Sequence, residues 1–516
     1  MTPHPKVRIS LQPLGETFEV PKGAPLRDVL FEHGVEFPCG GRGKCKACRI
    51  KVLKGNIPVT AELQSLLSPE EIQDGWRLSC RHKAEEDLTL ELAQWEASIL
   101  GNESRFEFTP REGFGVAIDL GTTTLVAQLL DLQTGNVLAV ESALNSQARH
   151  GSDIMSRIDF AVAQNGRSSL EKLIRSQLGR MISHLLPTAQ HHRQAIRDIV
   201  IVGNTVMHHF FCGIDPEPLA HFPFEPKSDG LQHFKTADLG WTSVGNANVW
   251  FLPCLGGFVG SDILAGILAT GLHKKNELTG LIDLGTNGEM VIGNRERLLC
   301  ASTAAGPAFE GAKISMGMRA ATGAISEVAV EQAAMRCRVI GNRIPRGICG
   351  SGLVDAVAAG LQLEKIQANG RLAGGLDKLP LRQPVALNQA DIRELQLAKG
   401  AIAAGLRILL QQWGARMEDM DCLHLAGAFG NYINRQSAQR IGLLPLPPGK
   451  VIPAGNTALL GAKQALFTPR GQDADYQQIR QKTTHVSLHA DPRFQDIYVE
   501  EMLFPEQNQA PRHFAE

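Results

Sequence analysis

Val116-Ala-Ile-Asp119-Leu-Gly121-Thr-Thr-Thr124 is an apolar run that closes on an aspartate, a glycine and three hydroxyl residues before a second apolar run, Leu125 to Leu130, begins. The pattern predicts strand, tight turn, strand. Such a turn gathers the Asp119 carboxylate and the backbone N–H groups near Gly121 and Thr122 at one point. Amides placed that way hold phosphate oxygens, and the carboxylate holds a hydrated Mg²⁺. The glycine permits close backbone approach. A single Asp-Leu-Gly-Thr is equally compatible with an ordinary hairpin, but the chain repeats it as Leu281-Ile-Asp283-Leu-Gly285-Thr286-Asn287-Gly288-Glu289, followed by a strand from Met290. A third strand follows each copy, Val137 to Val140 and Arg297 to Ala301, after short polar turns. Two matching three-strand units predict two similar lobes facing each other across a cleft.

These loops resemble the two phosphate loops of the acetate and sugar kinase, Hsp70 and actin superfamily of ATPases. The resemblance implies an α/β two-lobed actin-like fold, a duplicated ribonuclease H-like unit, with ATP between the lobes. It makes Asp119 and Asp283 the carboxylates that hold hydrated Mg²⁺, and places Gly121, Thr122, Thr123, Gly285, Thr286 and Asn287 around the phosphates. The superfamily also carries a glycine-containing adenosine motif after a strand. Leu423-His-Leu-Ala426-Gly427-Ala428-Phe429-Gly430-Asn431 fits it, with Ala426 where many members have a first glycine and Gly427 and Ala428 flanking adenosine. Residues 113–280 then form lobe I and 281–470 lobe II with a C-terminal return helix from Asn456; 471–516, polar and proline-containing, read as a peripheral segment.

The 516 residues carry 52 basic and 53 acidic side chains, so no charge excess points to nucleic acid. The N-terminus has no apolar stretch of the signal-peptide kind. The most apolar window, Phe251 to Leu272, contains Asp262 and five glycines, which suits a buried helix and its loop rather than a membrane span. A cytoplasmic location is the expectation.

Ten cysteines are too few for a disulfide scaffold in a chain of this length, and four have a pattern of their own. Cys39, Cys45 and Cys48 stand in a C-x5-C-x2-C loop rich in glycine, and Cys80 follows Cys48 after 31 intervening residues. Four thiolates suit an iron–sulfur cluster or a zinc ion. Zinc ribbons usually show two C-x2-C pairs, and only one exists here. The β-rich surroundings of residues 1–92 resemble [2Fe–2S] ferredoxin domains of the α+β, β-grasp type, and the five-residue spacing is that of their adrenodoxin-like branch. Arg42, Lys44, Lys46, Arg49, Arg81, His82 and Lys83 crowd the cysteine loops. They read as a solvated rim offsetting the cluster's charge, or as a docking patch for an acidic redox partner. Residues 93–112 mix charges and small side chains without a period, as a linker does.

Other stretches admit two readings each. Asp262 fits a general base or Mg²⁺-water partner, and with Ser261 it also fits a helix N-terminus. Glu310, in Gly306-Pro-Ala-Phe-Glu310-Gly311, fits the cleft or the surface. Gly347-Ile-Cys349-Gly350-Ser351-Gly352 fits a phosphate-binding helix start or close helix packing. Ile199-Val-Ile-Val-Gly203-Asn204 reads as a buried strand whose end lines a nucleotide cleft. His208 and His209 have no partner at ligand spacing and read as core.

With the cysteine module ahead of two Asp-Leu-Gly-Thr loops and no G-x-G-x-x-G after a strand, electrons must come from one protein and leave to another. This order of parts resembles the reductive activators of corrinoid proteins, over most of the chain. That resemblance implies ATP-dependent return of Co(II) corrinoid to Co(I) in a methyltransferase protein, with an external ferredoxin or reductase as donor; the oligomeric state, a homodimer included, stays open. Members can carry a middle domain, whereas here about twenty residues separate cluster module and ATPase. Three other readings remain compatible: an ATP-dependent redox activator of another enzyme such as a dehydratase, a metabolite kinase with a regulatory cluster, and a non-enzymatic ATP-sensing redox scaffold.

Overall fold

A computed structural model describes residues 5–12, 16–31, 35, 48–67, 69–92, 106, 108–151, 153–191, 195–311, 313–468 and 474–506. Five strands build the N-terminal sheet in the order Glu16–Pro21, Lys6–Gln12, Leu88–Leu92, Arg49–Lys54, Trp76–Leu78. Alternation in the first strand turns Val7, Ile9 and Leu11 inward. The strands that begin and end this module lie side by side and parallel, with the helix Leu26–Phe31 packed over them through Leu26 and Leu30. This is the predicted β-grasp form.

The rest of the chain contains two six-stranded sheets of matching plan. In the first, Phe114–Leu120 pairs antiparallel with Thr124–Asp131, which pairs antiparallel with Val137–Leu144. Its other edge pairs parallel with Ile196–Val202, then Asn248–Phe251. In the second, Thr279–Leu284, Gly288–Gly293 and Leu298–Thr303 form the antiparallel meander. Cys422–Ala426 and Val451–Gly455 add parallel strands on the other side. The central strands are apolar on both faces because both faces are covered. Between the sheets lie two helices, Ser261–Thr270 and Thr457–Phe467, packed on each other. Ile263, Leu264, Ile267, Leu459 and Ala462 share one core with Val200 and Val202 of lobe I and Leu281 and Val291 of lobe II. The helices cross closely enough that a Cβ on Gly461 would collide with the Ala265 carbonyl. Among the described residues no helix is long and apolar enough to cross a membrane.

Two boundaries differ from the sequence reading. The segment after residue 470 is not peripheral. Thr483–His485 joins the lobe II sheet beside Leu298–Cys300, and Tyr476, Ile479, Ile497 and Phe504 are buried. Its helix Ala474–Lys482 hides only two apolar side chains three apart in a polar sequence, too sparse a signal to read as a packed face. The C-terminal end of the linker is likewise packed into the junction of the two lobes. Phe106 and Phe108 pack on Phe467, with ring centroids 5.4 and 4.4 Å away. Arg111 pairs with Asp198 at 2.6 Å and donates to the Leu466 carbonyl. Residues 93–105 lie outside the described residues.

Candidate functional site

The first Asp-Leu-Gly-Thr loop is held from below by three side chains. The Asn145 backbone N–H donates to the Thr123 carbonyl at 2.8 Å and its Nδ2 to the Gly121 carbonyl at 2.9 Å. Arg157, fully buried, donates from Nη2 to the Thr122 carbonyl at 2.6 Å and from Nε to the Gly151 carbonyl at 2.9 Å. Asn204, which caps the helix Thr205–Cys212, donates from Nδ2 to the Thr122 hydroxyl at 2.8 Å. The strand before it thus ends against the first Asp-Leu-Gly-Thr loop. Burial pushes the Arg157 guanidinium down to about 9, so it remains charged at neutral pH. Arg157 and Asn145 were not singled out from sequence. Arg157 had a signal: it shares a helix face with Ile154, Ile158 and Ala161, an arginine inside an apolar stripe. Asn145 had none.

The two loops meet. Thr123 Oγ1 and Thr286 Oγ1 are 2.9 Å apart, and Thr286 donates to Glu310 Oε1 at 3.0 Å. Because the Thr286 proton is committed to Glu310, the Thr123 hydroxyl is the donor in the bond between lobes. Asp119 accepts from Asn456 Nδ2 at 2.8 Å, and Asn456 caps the return helix. Gly427, at φ 86°, sits where a Cβ would be 2.6 Å from Asp283 Oδ1. The Gly427 segment is therefore pressed onto the second Asp-Leu-Gly-Thr loop, and Phe429 behind it stacks on Phe309 at 4.7 Å. Of the Ala428 side chain nothing is described.

Asp262 lies in the first turn of the helix Ser261–Thr270 without capping it. The cap position is Gly260, and Asp262 accepts only from the adjacent Ile263 N–H. It lies close enough to Asp283 and Asp119 to feel their charges. Burial, and then the charge of Asp283, raise Asp262 to about 8. Burial and the charge of Asp119 raise Asp283 to about 7. Burial raises Asp119 to about 6 against the Asn456 bond. Glu289, opposite Asp283 in the hairpin, is raised further by burial, Asp262 and Asp283, and Glu310 is raised by burial. Carboxylates crowded this way fit a cation with phosphates. Among the described residues no three acidic, histidine or cysteine side chains converge as direct ligands.

The Gly347–Gly352 turn takes the packing reading. A Cβ on Gly350 would strike the Phe309 carbonyl, and one on Gly352 the Ile325 carbonyl. His208 and His209 are wholly buried, bonded to the Gly230 and Thr205 carbonyls.

In the N-terminal module the antiparallel pairing of Arg49 with Leu78 carries Cys80 back to Cys48 across 31 intervening residues. Ser79 closes the junction, its N–H and hydroxyl both donating to the Cys48 carbonyl at 3.0 Å. Cys39 and Cys45, with Arg42, Lys44 and Lys46, lie outside the described residues. Arg49 and Arg81 are paired with Glu71 (3.0 Å) and Glu62 (3.6 Å), so the rim offsets part of its own charge.

Three family models divide the chain: a 2Fe-2S iron–sulfur cluster binding domain matches residues 9–85, the RACo middle region 114–275, and the C-terminal ASKHA domain of RACo 277–514. The corrinoid activation enzyme RamQ of Eubacterium limosum is 36% identical over 421 residues, spanning 76% of this chain and 70% of that protein. The chain belongs to the reductive activators of corrinoid proteins. A second relative in this family, the [Co(II) methylated amine-specific corrinoid protein] reductase of Methanosarcina barkeri, is 27% identical over 76% of this chain and 77% of its own. A solved member, titled reductive activator for corrinoid, iron–sulfur protein, superposes with a TM-score of 0.68 at 28% identity, covering 97% of this chain and 98% of that one. The family therefore brings an iron–sulfur domain and an ATP-binding ASKHA domain. Its middle region falls on the stretch read from sequence as lobe I. That corrects the reading that only a short linker separates the cluster module from the ATPase: the middle region is present at 114–275 and contains the first Asp-Leu-Gly-Thr loop.

Proposed function

We propose that this protein carries out ATP-dependent reductive activation of a corrinoid methyltransferase protein, returning Co(II) to Co(I) by one electron. The observation that carries the reading is the joining, in one chain, of a cysteine-built redox module to two acidic Gly-Thr loops that meet at Thr123 and Thr286. Cys39, Cys45, Cys48 and Cys80 hold a [2Fe–2S] cluster, which when bound supplies single electrons. Ser79 fixes the Cys48 carbonyl beside the Cys80 segment. Asp119 and Asp283 hold hydrated Mg²⁺, with Asp262 on its water shell. Thr122, Thr123, Thr286 and Asn287 bind phosphates, helped by the backbone at Gly121 and Gly285. Gly427 and Ala428 flank adenosine. The substrate couple lies below what an ordinary [2Fe–2S] donor reduces with ease, and each 59 mV of a one-electron gap is about 1.4 kcal/mol. Binding that favours the reduced corrinoid protein offsets several such steps, and ATP-driven lobe movement then releases it. The external donor is a ferredoxin or reductase, the setting is cytoplasmic, and a homodimer is compatible with the arrangement.

The test is anaerobic visible spectroscopy of a Co(II) corrinoid methyltransferase protein with this protein, a low-potential reductant and Mg-ATP. The Co(I) band should grow only when ATP and the intact cluster are both present. The Cys48→Ser variant should bind Mg-ATP and leave the corrinoid as Co(II); full activation by that variant would refute the relay role.

A further inference from the structure

The cluster module is seated on both lobes at once. On lobe I, Leu144 and Ala148 pack against its core, which includes Leu26, Leu30 and Cys48, and Arg27 and Asp28 of its helix lie close enough to His150 to perturb it. On lobe II, Arg346 Nη2 reaches Glu91 of its sheet at 2.6 Å. The first seat is built on the phosphate loop itself. Asn145 holds the carbonyls of Gly121 and Thr123, and its side chain also accepts from the Gln147 N–H, fixing the turn Ser146–Arg149 that presents Ala148.

A body resting on two supports that move relative to each other keeps only one of them. The lobe I seat is apolar, continuous with the module's core and bonded to the first Asp-Leu-Gly-Thr loop, whereas on lobe II the Glu91–Arg346 contact is a half-buried ion pair, whose net worth is small. We infer that nucleotide binding breaks the Glu91–Arg346 contact and swings the cluster module away from lobe II while it stays on the Leu144–Ala148 seat. Its orientation toward a partner thereby follows the nucleotide state. This rests on the proposed ATP-dependent movement of the lobes.

Linkage gives a sharp test. A contact present only without nucleotide opposes nucleotide binding, so removing it must tighten binding. Calorimetry of Mg-AMPPNP binding to the full, cluster-loaded Arg346→Ala variant should give an affinity about two- to fivefold higher than wild type. Unchanged or weaker affinity would overturn the inference. Wild type that fails to bind Mg-AMPPNP would overturn the ATP reading instead. Independently, the Glu91→Cys/Arg346→Cys double variant, joined by a short bis-maleimide and mapped by peptide mass spectrometry, should crosslink at least about fivefold more slowly with Mg-AMPPNP present. An equal rate in a nucleotide-binding sample overturns the proposal even if the alanine variant does not fold.

Discussion

The cleft carboxylates oppose folding of the nucleotide-free protein, and Asp262→Asn measures by how much. Asparagine keeps the oxygen that accepts from the Ile263 N–H and removes the charge close to Asp283 and Asp119. Asp262 keeps its proton in the folded state up to about pH 8, whereas in the unfolded chain it loses it near 4. The folded state therefore binds more protons between these values, and stability falls as pH rises from about 4 to 8. Holding a carboxyl at about 8 costs at most about 5.5 kcal/mol at that pH. The side chain is only half-buried, and its neighbours share the titration, which brings the expectation to about 1–3 kcal/mol. Chemical unfolding across pH 4 to 8.5 should show the variant equal to wild type at pH 4 and more stable by that amount at pH 8. With Mg-ADP the order should reverse, because the cation turns the same charge into a stabilising one. A variant that is less stable than wild type at pH 8, or a difference that does not change with pH, would refute the crowding argument.

Two further substitutions probe the frame of the site. Arg157→Leu leaves the Thr122 and Gly151 carbonyls without their donor in a buried position; a loss of about 2–5 kcal/mol in unfolding free energy and at least tenfold weaker Mg-AMPPNP binding by calorimetry are expected, and Arg157→Lys should not restore either, since an ammonium lacks the forked donors. Gly427→Ala forces a positive φ on alanine and sets its Cβ 2.6 Å from Asp283 Oδ1; it should cost about 1–3 kcal/mol and weaken nucleotide affinity about tenfold or more, while leaving the visible spectrum of the cluster unchanged.

What the sequence disclosed follows the range of the interactions involved. The two Asp-Leu-Gly-Thr loops were legible because strand, turn and ligand chemistry fall within nine adjacent residues, and the duplication stated the fold. Cys80 was legible only through its residue type; the pairing of Arg49 with Leu78 that delivers it is a tertiary fact. The side chains that support the first loop lie 24 to 82 positions from the residues they hold, beyond any local pattern. Among them Arg157 betrayed itself only as a charge in an apolar stripe. The glycines from 347 to 352 show the opposite failure. A helix start rich in glycine is compatible with phosphate, yet here the missing side chains admit the Phe309 and Ile325 carbonyls. That close approach places the segment Phe309-Glu310, and through Glu310 the hydroxyl of Thr286, against the first loop. The glycines thus serve the nucleotide cleft without lining it. Their effect is to set which threonine donates where the two loops meet: with Thr286 committed to Glu310, the Thr123 hydroxyl is the donor, and a phosphate oxygen entering between the loops would accept that proton in place of Thr286 Oγ1.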